Sequence, residues 1–295
     1  ERNNLKLQET IQQFAARLDS VDLCYGHGTD NPLDEAFYLI YGLLGIDFAD
    51  EQAAQNELKP EQEAMLEAAL KRRIGERIPT AYLVGRAWFA GHEFYCDQRA
   101  LVPRSPVAEL INGEFEPLLH EPAGKILDLC TGGGSIGIAT ALIWPECEVD
   151  LADISGDALD LAKKNIALHG LGGRVRTIQS DLFGDIDSRY DLIVANPPYV
   201  PVQKYDELPA EFANEPSLGL ISDDNGLQIP LKILRDSVDY ISSTGLLVME
   251  VGYSHPQLSE RLKQVPLLWL EFEQGGEGVL ALTARQLQQY REQFN

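Results

Sequence analysis

Lys125-Ile126-Leu127-Asp128-Leu129-Cys130-Thr131-Gly132-Gly133-Gly134-Ser135-Ile136 is the stretch on which the fold turns. The mostly apolar run from Ile126 to Leu129 reads as a buried strand. Three glycines then interrupt it and allow a tight turn, after which Ile136, Ala139 and Ile143 recur at helical spacing until Pro145 stops the pattern. Outward from this unit the alternation continues. Glu148 to Ala152 reads as a second strand; Ser155 caps a helix whose Leu159, Ala162 and Ile166 face the core before Gly170 ends it. Val175 to Gln179 and Leu192 to Ala195 read as the third and fourth strands. After a long loop, Leu227 to Tyr240 reads as a helix and Leu246 to Met249 as a fifth strand. Leu267 to Phe272 and Val279 to Leu282 are suited to an antiparallel edge. Such alternation predicts an α/β fold, a parallel sheet covered by helices on both faces.

The front of the chain has a different period. Leu7, Ile11, Phe14 and Leu18 mark a helix over residues 5 to 18, and Asn31-Pro32 reads as an N-cap with proline at the first helical position of a helix that Gly45 ends. A third helix is expected from Pro60 to Gly75. With no strand pattern there, residues 1–80 are expected to form a small helical substrate-recognition domain. Tyr82 to Cys96 suggests a β-hairpin turning at Ala90-Gly91-His92, and Val102-Pro103-Arg104-Ser105-Pro106 opens a short helix through Leu110 and Ile111. Residues 81–111 are thus a hairpin and linker, and 112–295 the sheet domain.

Composition narrows the partners. The 295 residues carry 24 basic and 46 acidic side chains, a net charge of -22 that repels a phosphate backbone and attracts basic proteins. No direct nucleic-acid substrate is expected. No run of about 18 apolar residues predicts a membrane helix, and Glu1-Arg2-Asn3-Asn4 lacks a signal-peptide core. Cys24, Cys96, Cys130 and Cys147 share no metal-type spacing; they read as reduced thiols of a cytoplasmic protein with no metal site. His92, placed in the hairpin turn, and His120 read as surface residues, and His169, in the last turn of its helix, is assigned no chemistry.

In an open doubly wound sheet a ligand lies beyond the carboxyl ends of the strands, where the winding reverses. With the common strand order this falls between the first and fourth strands, making the glycine loop a neighbour of Asn196-Pro197-Pro198-Tyr199. Gly132, Gly134 and Gly137 match the dinucleotide pattern and Asp153 is placed for a ribose diol, which suits NAD and S-adenosylmethionine nearly equally. Asp128 favours the second, because a carboxylate entering the loop suits the ammonium of a methionine moiety better than a pyrophosphate. Asp181-Leu182-Phe183 can bracket an adenine. The tandem prolines end the fourth strand and leave Asn196 extended. Its side-chain carbonyl and that of the Pro197 backbone can each accept one N–H of a substrate NH2, with Tyr199 stacking on the planar group. Catalysis is then expected from orientation, since no strong general base is evident.

Taken together, Asp128-x-Cys130-Thr131-Gly132-Gly133-Gly134, Asp153, Asp181-Leu182-Phe183, Asn196-Pro197-Pro198-Tyr199 and the ending Gly275-Gly276-Glu277-Gly278-Val279-Leu280-Ala281-Leu282 resemble the protein-glutamine N(5)-methyltransferase family. The resemblance implies a Rossmann-like seven-stranded methyltransferase domain behind a helical domain and β-hairpin linker, and methylation of a glutamine side-chain amide from S-adenosyl-L-methionine. It implies that Asn196, Pro197 and Tyr199 hold the glutamine. Asp128, Cys130, Thr131, Gly132, Gly133, Gly134, Asp153, Asp181, Leu182 and Asn196 would line the cofactor. Cys130 stands where glycine is frequent and Gly133 where Thr or Ser is frequent, and neither removes the close approach at Gly132 and Gly134.

Release-factor enzymes of this family usually show Pro-Arg-Pro followed by an acidic residue, where this chain has Pro103-Arg104-Ser105-Pro106. With Tyr25-Gly26-His27-Gly28-Thr29-Asp30-Asn31-Pro32 this is similar to the branch modifying ribosomal protein L-three of the large subunit. His27 belongs either to a branch-specific loop or to an ordinary turn. A basic ribosomal protein would suit the charge of -22. The alternatives are a release-factor methyltransferase; a nucleic-acid amino-methyltransferase, which should show a basic face; an NAD-dependent dehydrogenase, which leaves Asn196-Pro197-Pro198-Tyr199 unexplained; and a non-enzymatic ribosome-binding module.

Overall fold

A computed structural model describes residues 6–295; Glu1 to Asn4, and the first residue of the helix expected from residue 5, lie outside them. Helices α1 (Leu7–Asp19), α2 (Pro32–Leu44), α3 (Pro60–Gly75) and α4 (Thr80–Val84) come first. Leu7, Ile11, Phe14 and Leu18 lie on the buried face of α1 and pack with Leu39 and Ile40 of α2 and Leu66 and Leu70 of α3. The Asn31 side chain accepts the Asp34 N–H at the start of α2, and Gly45 ends that helix in the left-handed region.

Strands β1 (Arg86–Phe89) and β2 (His92–Tyr95) form the expected hairpin, but its turn is Ala90-Gly91 alone, and His92 is a strand residue opposite Phe89. Both turn residues have positive φ, 48° and 80°, the twist that matches a two-residue hairpin. His92 is therefore not the turn residue the sequence suggested. Helix α5 (Val107–Asn112) leads into the sheet.

The next elements are β3 (Lys125–Leu129), α6 (Ser135–Ile143), β4 (Glu148–Asp153), α7 (Gly156–Leu168), β5 (Val175–Gln179) and β6 (Tyr190–Ala195). The expected long loop is partly ordered. It contains β7 (Val200–Pro201), α8 (Val202–Tyr205) and β8 (Ile221–Ser222), with β7 and β8 pairing in parallel. Helix α9 (Gln228–Asp236), β9 (Ile241–Glu250), α10 (His255–Arg261), β10 (Leu268–Trp269), β11 (Val279–Thr283) and α11 (Ala284–Tyr290) complete the chain.

The large sheet has the order β10-β11-β9-β6-β3-β4-β5. β5, β4, β3, β6 and β9 are parallel, while β11 runs antiparallel to β9 and β10 antiparallel to β11. Leu127 and Ile193 contribute to one apolar layer, Ile126 and Val194 to the other, so both faces are buried. The register Leu129 opposite Ala195 brings the tips of β3 and β6 level. The winding reverses there, and a crevice opens beyond both tips.

Candidate active site

A cavity of about 700 Å³ fills that crevice. On its β3–β4 side, Asp153 at the end of β4 accepts the Gly132 N–H on Oδ2 (2.8 Å) and the Ser155 N–H on Oδ1 (2.9 Å). A carboxylate offers about four lone-pair positions, so acceptor capacity remains for a ligand hydroxyl. Burial raises the Asp153 carboxyl, an effect these backbone donors oppose.

Asp128 is placed differently from the expectation of direct contact with an ammonium group. It lies beneath the glycine loop, 1% exposed, and is absent from the cavity wall. Its Oδ2 accepts the Thr131 hydroxyl (2.6 Å) and the Gly137 N–H (2.8 Å), clamping the loop to the first turn of α6. Its Oδ1 is buried without a partner. Burial pushes this carboxyl up to about 7 against those two hydrogen bonds. Gly137 makes the clamp possible, since a Cβ there would come within 2.3 Å of Leu151 and 2.9 Å of Asp128.

Cys130, Thr131, Gly132 and Gly133 line the cavity, and Gly134 does not. Burial holds the Cys130 thiol well above its ordinary range, so it is a neutral wall atom and not a nucleophile. Asp181 and Leu182 line the far end. Asp181 is exposed, with Lys232 Nζ at 3.7 Å, a loose pair that leaves the carboxylate free to accept an amino group. The cradle suits a nucleoside joined to a cationic group: a diol acceptor at Asp153, an apolar slot at Leu182, and an unpartnered carboxyl oxygen under the loop.

On the β6 side, Asn196 and Tyr199 line the cavity together with Pro198, whereas Pro197 is buried off its wall. The Asn196 side-chain amide has no hydrogen-bond partner among the described residues and is available to a ligand. Tyr199 is held from several directions. Its hydroxyl donates to Glu250 Oε1 (3.2 Å), its carbonyl accepts the Ser254 hydroxyl (2.7 Å), and its ring lies against Gly252, where a Cβ would come within 2.6 Å. Burial raises both the Tyr199 phenol and the Glu250 carboxyl. The phenol therefore stays neutral and donates. Ser105 of the linker donates to the other Glu250 oxygen (2.6 Å).

Two further carboxylates sit in the segment between α8 and β8. Glu215 accepts both Arg104 nitrogens (each 2.6 Å) and the Val102 N–H (3.0 Å); against burial, His27 and Arg104 beside it hold its carboxyl at about 2. Glu211 accepts from Arg73 (2.9 Å) and from the Cys24 N–H (3.1 Å), while Arg73, 1% exposed, also pairs with Glu35. The helical cluster and the linker are thereby tied to the chain that follows Tyr199. Tyr253 and Leu218, both strongly exposed, stand on the cavity rim.

Glu250, Glu215, Glu211 and Ser254 were not among the residues selected from sequence. One signal was available for Glu250: it ends the fifth strand, and so shares a sheet edge with Asp153 and Asn196.

A family model for the methyltransferase small domain matches residues 115–215, and one for the PrmC N-terminal domain matches residues 9–85. The ribosomal protein uL3 glutamine methyltransferase of Xanthomonas campestris pv. campestris is 45% identical over 284 residues, 95% of this chain and 91% of that one. The protein of the same name from Francisella tularensis is 38% identical over 297 residues, 99% and 95% of the two chains. Among solved structures, the hMettl16 catalytic domain in complex with an RNA hairpin superposes with a TM-score of 0.52 at 16% identity, covering 76% of this chain and 81% of that one. That likeness concerns the fold alone.

Proposed function

This chain belongs to the ribosomal protein uL3 glutamine methyltransferase family, and on that footing we propose that it transfers a methyl group from S-adenosyl-L-methionine to the side-chain amide nitrogen of a glutamine in uL3. The observation that carries the reading is the pairing at one cavity of a nucleoside cradle on β3–β4 with an unpartnered amide, Asn196, on β6. The cofactor supplies an electrophilic methyl group. Asp153 would take its ribose hydroxyls, Leu182 and Asp181 its adenine, and the Asp128 carboxyl beneath the loop would favour its positive charge.

The glutamine amide would enter on the Asn196 side. An amide nitrogen is a weak nucleophile because its lone pair is delocalised. As its bond to the methyl forms, the nitrogen becomes positive and its N–H groups become stronger donors. The Asn196 side-chain carbonyl, accepting one of them, therefore binds the transition state more tightly than the ground state. Tyr199 forms a fixed wall for the planar amide and, being neutral, takes no proton. With the electron pair of the broken carbon–sulfur bond left on the donor's sulfur, the surplus proton of the amide would pass to solvent. The substrate would be met in the cytoplasm, as a basic protein drawn by the charge of -22.

The test sets purified uL3 and purified release factors side by side as acceptors, with the methylated residue mapped by mass spectrometry. One methylated glutamine in uL3, at much higher kcat/KM than any in a release factor, is expected. Equal or reversed preference overturns the substrate assignment, and methylation of nucleic acid alone overturns the acceptor class.

A further inference from the structure

A second cavity, of about 310 Å³, opens between the helical cluster and the β1–β2 hairpin, outside the cofactor and acceptor sites. Its walls are the rings of Phe37, Tyr38, Phe48, Trp88 and His27. Trp88 and Phe48 meet edge to face at 4.8 Å, and Trp88 is 42% exposed. The cavity shares Val102 and Pro103 with the active-site cavity, so only the linker separates the two. A chain delivering a glutamine to Asn196 has this aromatic pocket as its next recess across Pro103.

His27 is the anomaly in the wall. It is 5% exposed, packs on Phe212 (ring centroids 4.8 Å apart), and neither ring nitrogen has a hydrogen-bond partner. Its Nε2 faces Glu215 Oε2 at 3.5 Å. A carboxylate can only accept, so Nε2 presents a proton to Glu215, and Nδ1 is left buried without a protein partner. A buried polar atom left in this way is destabilising unless a ligand or water pairs with it. The other polar groups of the wall are engaged: the Thr29 hydroxyl donates to Glu35 (2.6 Å) and the Tyr38 hydroxyl to the Arg86 carbonyl.

We propose that this pocket takes a lysine or arginine side chain of the polypeptide that carries the target glutamine. The aliphatic stem would lie on Val102 and Pro103, the cation would face the aromatic rings, and one of its N–H groups would satisfy His27 Nδ1. No lysine or arginine lines the pocket, and the chain's charge of -22 favours a cationic guest. This assignment rests on the proposed acceptor being a protein glutamine. It makes the pocket a specificity site beside the catalytic one.

The experiment measures methylation of uL3 by the wild type, Trp88→Leu and Phe48→Leu, each combined with substrate variants in which one basic residue flanking the mapped glutamine is replaced by Ala or by Leu. S-adenosylhomocysteine affinity, by calorimetry, and melting temperature serve as controls. Losing the aromatic face should raise KM for uL3 roughly tenfold with kcat within about twofold and the cofactor control unchanged. One substrate residue changed to Ala should cost the wild type the same factor, yet cost Trp88→Leu nothing further. Unchanged KM in both enzyme variants, or additive losses at every basic residue, overturns the proposal. A substrate Leu that restores wild-type KM overturns it in favour of an apolar guest. If the wild type methylates no glutamine in uL3, the functional reading itself has failed; an active wild type without coupling removes only the pocket.

Discussion

The two halves of the cavity are held by different means. On the β3–β4 side the ligand cradle is fixed by contacts no more than 21 residues apart: Asp128 reaches Thr131 and Gly137, and Asp153 reaches Ser155 and, across one strand pairing, Gly132. On the β6 side almost every support comes from far along the chain. Tyr199 depends on Glu250, Gly252 and Ser254, Glu250 on Ser105, and the segment beyond Tyr199 on Arg104 and Arg73. A cofactor shape common to many reactions can be met by a short self-contained motif. An acceptor amide that must be gripped in one orientation needs supports converging from several directions.

Asn196→Ala should lower methyl transfer roughly a thousandfold while S-adenosylhomocysteine affinity changes by less than about threefold, because the Asp153 and Leu182 contacts of the cradle stay in place. Single-turnover rates beside calorimetry check this, and a near-normal rate would remove Asn196 from the mechanism. Arg73→Met strips Glu35 and Glu211 of their buried partner and should cost about 3–5 kcal/mol in chemical denaturation. Arg17→Met, at a pair about two-fifths exposed on both sides, should cost under about 0.5 kcal/mol. Equal losses would mean that the Arg73 cluster does not hold the acceptor half in place. Gly252→Val drives a side chain into the Tyr199 ring and should reduce kcat about a hundredfold with cofactor binding retained.

Smaller effects test the cradle. Asp128 moves from 3.8 in the unfolded chain to about 7 in the fold. Between those values the folded protein keeps a proton that the unfolded chain has lost, so this group's contribution to stability is full below pH 4 and fades as pH rises to 7. An ammonium group nearby favours the ionised form, and S-adenosylhomocysteine keeps the ammonium of the methionine moiety. S-adenosylhomocysteine should therefore bind up to about tenfold tighter as pH rises from 6 to 8, and Asp128→Asn should flatten that profile in a calorimetric series. Asp181→Asn, at an exposed carboxylate paired only at 3.7 Å, should weaken binding no more than about threefold.

What could be read in advance follows the same division. The strands and helices announced themselves through periods of about two and 3.6 and through glycine and proline stops, which are local signals. The reversal between the first and fourth strands put Asp153 and Asn196 at one crevice. Asp128 was visible as a loop residue, yet its position under the loop follows from the Gly137 contact with β4, a packing detail no spacing encodes. His27, between two glycines, has the sequence of an exposed turn and is buried because Glu215 and Phe212 arrive from the far side of the chain. Glu211 and Glu215 resemble ordinary surface acids until Arg73 and Arg104 are seen against them.

The Arg73 cluster also bears on the order of synthesis. The helical segment leaves the ribosome with Glu35 and Thr80 already made, but Glu211 lies 138 residues beyond Arg73. Until that carboxylate emerges, Arg73 holds only part of its anionic shell, and one nitrogen that the finished protein seals away stays in water. The helical segment thus completes its buried charge cluster late, when the chain around the acceptor side of the crevice has been translated and can close over it.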